Sequence, residues 1–141
     1  PVPDPHARGA FVDLAPEHGA RELVRAVADG VSATLGQIVQ LLRTSGVKVE
    51  ELRLTSGGAA SGPWRSQVLA AADCPGRVVG GRAGPARGAA LLAARMGAGD
   101  AALAEAAATW FVPGPREAPD PALVGRMAGI RTRLASIRGV L

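Results

Sequence analysis

Between Leu52 and Trp64 the chain reads Leu-Arg-Leu-Thr-Ser-Gly-Gly-Ala-Ala-Ser-Gly-Pro-Trp, a stretch that few architectures accommodate. Leu52 and Leu54 alternate with Arg53 and Thr55, the period-two pattern of a half-buried strand. Ser56 to Ser61 carries no bulky side chain, so a ligand can approach the backbone closely there. Gly62 and Pro63 fit the N-cap and first position of a following helix, since proline lacks the N–H that would be orphaned. N–H groups exposed at such a turn favour an anion such as a phosphate. An ordinary βα turn has the same pattern, so the surrounding chain has to decide between the two.

Upstream, three prolines in the first five residues mark Pro1 to Arg8 as a loop. Phe11 and Val12 suggest a short strand over Gly9 to Leu14. Leu23, Val27, Val31, Leu35, Ile38 and Leu42 follow helical spacing, which predicts a helix from Ala20 to Arg43 with these residues as its apolar face. Gly46 takes the C-terminal capping role. Downstream, a helix over Pro63 to Ala72 precedes a second parallel strand at Arg77 to Gly80. A small-residue turn at Gly81 to Gly84 follows, and Pro85 opens a helix to about Met96. Gly97 and Gly99 interrupt before Asp100 caps an alanine-rich helix to Ala108. Trp110-Phe111-Val112 is read as an anchor packed on the domain. A proline-rich connection leads to a last helix over Asp120 to Ile137. The order is α/β, a βαβ core with a helical C-terminal extension, divided as 1–112 and 113–141 with the second part packed on the first.

With 141 residues and 48% hydrophobic content rich in alanine, the core must be aliphatic and thin. Such a chain suits one domain that is incomplete or leans on a partner surface. A single cysteine, Cys74, excludes an internal disulfide and suits a reducing compartment, the cytoplasm. No apolar run approaches the ~20 residues of a membrane span, so no membrane partner is expected. The net charge of +4 invites a nucleic-acid reading. However, the arginines are scattered among acids and no aromatics interleave to stack bases, so no nucleic acid is expected. The densest group, Arg126, Arg131, Arg133 and Arg138, reads as a solvated or domain-contacting helix face.

Familiar catalytic frames are missing. The central turn lacks the Gly-x-x-x-x-Gly-Lys-Ser/Thr of a P-loop, and neither strand is followed by Gly-x-Gly-x-x-Gly. His6 and His18 have no Cys or His at ligand spacing. Ser56 and Ser61 lack a hydrolase elbow. Asp13, Asp73 and Asp100 are dispersed, and Cys74 has no activating neighbour. No complete active site, catalytic residue or metal ligand set is expected in this chain.

Five spaced motifs nonetheless occur in a telling order: Gly9-Ala10-Phe11-Val12-Asp13-Leu14; Glu22 to Gly30; Leu54-Thr55-Ser56-Gly57-Gly58-Ala59-Ala60-Ser61; Trp64-Arg65; and Gly84-Pro85-Ala86-Arg87-Gly88-Ala89-Ala90. In this order they resemble the C-terminal domain of FGGY carbohydrate kinases, with the xylulokinase pattern nearest, over Gly9 to Ala94. The resemblance implies part of an actin-like ATPase (ribonuclease H-like) domain, which closes over ATP while the sugar and the catalytic groups belong to an N-terminal domain. It assigns Gly57, Gly58, Ala59, Ser61 and Gly62 to the nucleotide pocket, with Mg2+ held mainly by the absent half. It makes Gly88-Ala89-Ala90 close packing beneath that pocket. A Gly58→Val substitution is expected to fill the ligand's space.

Three positions depart from the family pattern. Ser56 stands where a third glycine is usual, Ala60 where Arg or Lys is common, and Arg87 where leucine is expected. A left-handed conformation at Ser56 would cost about 1–2 kcal/mol. The resemblance further implies that the chain is the last third of a kinase, inactive alone, with a small sugar bound by the missing half. The alternative is a non-catalytic remnant serving as a protein-interaction module. In either case the strand at Leu52 to Thr55 is expected to expose an edge that pairs with another copy.

Overall fold

The computed structural model describes residues 6, 9–79 and 84–137. The expected loop over Pro1 to Arg8 falls almost wholly outside these residues, as do Gly80, most of the turn at Gly81 to Gly84, and Arg138. The rest folds as helices around a small parallel sheet.

Helix α1 (Ala20–Thr44) starts where Gly19 is extended, at φ −107° and ψ −166°. The Glu22 carboxylate accepts the Gly19 N–H at 2.9 Å, and this bond is the main reason its carboxyl sits below the ordinary value. Ser45 ends the helix, and Gly46 turns the chain away at φ 87°, a conformation that suits glycine.

Asp29, Ser32, Ala33, Gly36 and Val39 form the buried face of α1. The sequence pattern pointed to a different face. Val27, Val31, Leu35, Ile38 and Leu42 are 38–54% exposed, and Leu23 is half-buried. Close approach of α1 to helix α3 (Gly62–Ala72) explains the difference. Ala33 packs with Ala70 and Ala71, and a Cβ on Gly36 would overlap the Ala71 carbonyl, its carbon only 2.7 Å away. Small residues make this contact, whereas hydrophobic periodicity weights the large ones.

Strand β1 (Leu52–Leu54) leads through the short turn α2 (Ser56–Ala59) into α3, and β2 (Gly76–Val78) follows. The strands are parallel, with Leu52 opposite Gly76 and Leu54 opposite Val78. On the far side of β2, Gly76 and Val79 form antiparallel bridges with Glu117 and Pro113. Helix α4 (Gly84–Trp110) is broken at Gly99, where φ 78° and ψ −177° leave helical space, as the glycines had suggested. Helix α5 (Pro121–Ile137) is capped by Asp120, whose Oδ1 accepts the Ala122 N–H at 2.9 Å.

The core lies where α3 meets α1 and α5. Ala33, Ala70, Ala71 and Met127 are buried together, flanked by Leu123, Val124, Ile130 and Leu134. Arg126 reaches the Asp29 carboxylate, Arg131 donates to the Ala71 carbonyl at 3.1 Å, and Arg133 pairs with Asp13. These arginines therefore serve contacts within the chain.

Two expectations are corrected. Gly9 to Leu14 is not a strand: Phe11, Val12 and Leu14 are 46–60% exposed, and among the described residues no neighbouring strand pairs with them. Trp110-Phe111-Val112 is not a buried anchor either. Trp110 closes α4 at 39% exposure and Val112 is 68% exposed, with Phe111 half-buried between them.

Candidate functional site

The exits of β1 and β2 lie side by side because the strands are parallel, and a ligand crevice forms characteristically at such carboxyl ends. Thr55 leaves β1 extended, at φ −136° and ψ 170°. Ser56 then reverses the backbone at φ 75°, in the left-handed region, so the conformation that would favour the family's glycine is present here on a serine.

From Ser56 to Ala59 the chain makes one helical turn where a plain loop was expected. Ala60 N–H donates to Gly57 O and Ser61 N–H to Gly58 O, each at 3.1 Å. Ser61, not Gly62, caps α3: its Oγ accepts the Trp64 N–H at 3.4 Å, and Gly62 is the first helical residue.

The five residues assigned to the pocket do not share one surface. Gly57 and Gly58 are exposed. A Cβ on Gly57 would meet nothing within 4 Å, so that position opens to solvent with bare backbone. A Cβ on Gly58 would touch the Trp64 indole at 3.5 Å, an ordinary contact that points along the protein. Ala59 is 5% exposed and faces inward. Ser61 commits its hydroxyl to the helix cap, and Gly62 is half-buried.

Arg65 braces this turn. Its Nη1 donates to the Ala59 carbonyl at 2.9 Å and its Nε to the Glu117 carboxylate at 2.9 Å. Both side chains of the pair are roughly a quarter exposed, at 21% and 30%, so solvent screens the charge only in part. Sequence reasoning included Trp64-Arg65 among its motifs but gave Arg65 no task, and nothing in the sequence singled out Glu117, 52 positions away.

The close packing beneath the turn falls at Gly84. A Cβ there would overlap the Thr55 hydroxyl, so only glycine lets the start of α4 sit against the exit of β1. The expected packing residues do not do this. Gly88 has nothing within 4 Å of a Cβ, and Ala89 and Ala90 are exposed. Arg87 lies on the surface and donates to the Trp110 carbonyl at 3.1 Å, so its charge is solvated where leucine would have needed a pocket.

Among the described residues no group of three or more His, Cys, Asp or Glu side chains is placed to hold a metal ion. No helix among them is long and apolar enough to cross a membrane. What the arrangement offers is bare backbone exposed at Gly57 and Gly58, held from below by Gly84 and from the side by Arg65.

Comparison with known proteins bears on this geometry. The family model of the C-terminal domain of the FGGY family of carbohydrate kinases matches residues 1–97. The xylulose kinase of Escherichia coli (strain K12) is 39% identical over 97 residues, 66% of this chain and 19% of that protein. The erythritol kinase of Brucella abortus (strain 2308) is 33% identical over 124 residues, 86% of this chain and 23% of that protein. The crystal structure of xylulose kinase from Rhodospirillum rubrum superposes with a TM-score of 0.72 at 26% identity, covering 97% of this chain and 29% of that one. The chain thus spans about a fifth of the length of the curated relatives it matches.

Proposed function

The chain belongs to the FGGY family of carbohydrate kinases through their C-terminal domain, and from this premise we propose that it forms the nucleotide side of an ATP-dependent, xylulokinase-like sugar kinase. Its fold is the mixed, mostly helical actin-like ATPase type with a small parallel sheet. One observation carries the reading. The Gly57-Gly58 turn at the carboxyl end of β1 is exposed, and Gly57 presents backbone to open space.

A phosphate-bearing ligand fits this turn, because such ligands need close backbone approach and N–H groups not used internally. In a single helical turn the first N–H groups have no internal acceptor. ATP, when bound, supplies the phosphoryl group that passes to a sugar hydroxyl. This chain's own part is to bind and orient: Gly57 and Gly58 admit the ligand, Arg65 fixes Ala59, and Gly84 sets α4 under the turn. Phosphoryl transfer depends on positioning and electrostatics more than on covalent steps. Among the described residues no group of three or more His, Cys, Asp or Glu side chains is placed to hold a metal ion, and in this reading magnesium is held mainly by the absent half. The base, the metal ligands and the sugar pocket belong to polypeptide beyond this chain, which alone transfers no phosphate.

A second reading is a non-catalytic interaction module, favoured by the uncovered apolar face of α1. Titration of isotope-labelled protein with ATP separates the two. The kinase reading expects weak binding, around millimolar or ~4 kcal/mol, with shifts centred on Thr55 to Gly58. Gly57→Val should remove them, since its side chain enters the ligand's space. Shifts confined to the arginines of α5 and unchanged in Gly57→Val would defeat the kinase reading. ADP formation above blank with D-xylulose or glycerol would defeat the claim of inactivity.

A further inference from the structure

The turn from Ser56 to Ala59 cannot hold its own shape. A single helical turn is far shorter than a helix that sustains itself, and Gly57 and Gly58 lose the most freedom on ordering. Ser56 enters the turn at φ 75°, a conformation that disfavours a residue with a Cβ. The shape is therefore imposed by neighbours. At the entry Gly84 backs Thr55, and at the exit Nη1 of Arg65 donates to the Ala59 carbonyl at 2.9 Å.

A guanidinium holds a carbonyl in place only if its own plane is fixed. Glu117 fixes it, since both carboxylate oxygens accept from Nε of Arg65, at 2.9 and 3.2 Å. The backbone of Glu117 is tied to β2 in turn. Its N–H donates to the Gly76 carbonyl at 2.7 Å, and its carbonyl accepts the Gly76 N–H at 3.0 Å. Gly114 N–H donates to the Val78 carbonyl at 2.8 Å, so this segment runs along the strand. An unbroken line of bonds thus leads from Gly76 through Glu117 and Arg65 to Ala59, and every member lies within this chain. Glu117 stands beyond residues 1–97, where the family model matches.

We infer that Glu117 is a positioning residue for nucleotide binding, acting through Arg65 to hold the Gly57-Gly58 backbone in the arrangement that accepts a phosphate-bearing ligand. The inference rests on the nucleotide reading of this turn. A merely structural ion pair would stabilise the fold and leave the ligand alone, and the chain contains one for comparison. Arg77 Nε lies 2.9 Å from Glu51 Oε2, the distance of the Arg65–Glu117 pair, with side chains 29% and 25% exposed against 21% and 30%. Glu51 immediately precedes β1, at the end of the strand away from the turn.

Titration with ATP, followed through the amide signals of Thr55 to Gly58, compares the 141-residue chain with Glu117→Ala and Glu51→Ala. Glu117→Ala should weaken ATP binding about fivefold, equivalent to ~1 kcal/mol. Glu51→Ala should bind ATP as the parent does, even if both variants melt at the same lowered temperature. Hydrogen exchange without ATP gives an independent reading. The Ala60 and Ser61 N–H groups, which close the turn onto Gly57 and Gly58, should exchange faster in Glu117→Ala and not in Glu51→Ala. Should Glu117→Ala lose its fold, two milder variants decide. Arg65→Lys replaces the planar fork by a point charge and should show the same loss, whereas Glu117→Gln keeps an acceptor for Nε and should recover most of the affinity. Parental ATP binding in Glu117→Ala or Arg65→Lys would overturn the inference and leave the nucleotide reading standing, as would an equal loss in Glu51→Ala. A parent chain whose Thr55 to Gly58 signals ignore ATP would defeat the nucleotide reading itself, and this inference with it.

Discussion

Asp29 on α1 and Arg126 on α5 stand 97 positions apart, and the Arg126 guanidinium spans both carboxylate oxygens, with Nη1 at 3.1 Å from Oδ1. Gln67 of α3 and Arg25 of α1 donate to the same carboxylate. One side chain, 11% exposed, thereby ties three helices together. Arg126 lies beyond the matched residues 1–97, so the C-terminal helix is joined to the family domain by charge as well as by Met127.

Removing that carboxylate leaves Gln67 and Arg126 facing each other without an acceptor. Breaking a buried pair costs about 3–5 kcal/mol. Arg126 is 37% exposed, so its share is screened, and Asp29→Ala should cost ~3 kcal/mol at the low end of that range. In urea unfolding, Asp29→Ala/Arg126→Ala should lose clearly less than the sum of the single changes. Additive losses would mean that the pair is not coupled.

Gly36 and Gly30 lie on one helix and should respond oppositely to alanine. A Cβ at Gly36 overlaps backbone of α3, which cannot swing aside as a side chain could. Overpacking of about 1–3 kcal/mol then outweighs the ~1 kcal/mol that alanine gains in helix propensity. At Gly30 nothing lies within 4 Å, so the propensity gain stands alone. Thermal melts should show Gly36→Ala lowered and Gly30→Ala raised, and a stabilised Gly36→Ala would contradict the close α1–α3 contact.

The helices at Ala20 to Thr44 and Gly62 to Ala72, the parallel strands, the break at Gly99 and the last helix were all legible from periodicity, caps and glycines. The buried face of α1 was not, since Gly36, Ala33 and Ser32 carry almost no hydrophobic signal while the exposed Val and Leu row carries much. The Phe11-Val12 strand failed because two adjacent apolar residues cannot report whether a partner strand exists. At the turn, the exposed backbone of Gly57 and Gly58 followed from their lack of side chains. Their difference in direction, with Gly58 toward Trp64 and Gly57 toward solvent, depends on α2 being helical, and no local pattern announces that. The substitution that blocks the open space is therefore Gly57→Val rather than Gly58→Val.

Cys74 is 1% exposed, with its Sγ 3.9 Å from the Val49 carbonyl. Desolvation by burial raises its thiol above the ordinary value of 9.0, outweighing the nearby Arg43. The thiol therefore stays protonated at neutral pH and should react with Ellman's reagent only through unfolding. Because the folded value is raised, stability from this group is complete below 9.0 and declines as pH rises above it, where the unfolded chain ionises first. Rapid labelling of the native protein would show that the α3–β2 corner opens readily.

Ser56 holds a left-handed backbone at φ 75° at the mouth of the candidate site. A residue with a Cβ loses about 1–2 kcal/mol there, and glycine does not. Replacing serine by glycine also loosens the unfolded chain, which takes back about 0.4–1 kcal/mol. Ser56→Gly should therefore stabilise the protein by up to ~1 kcal/mol, a rise of a few degrees in melting temperature for a domain of this size. Ser56→Ala keeps the Cβ and should show no such gain, which separates backbone strain from any role of the hydroxyl. If Ser56→Gly and Ser56→Ala melt alike, the turn is not strained at this position, and the left-handed assignment of Ser56 fails with it.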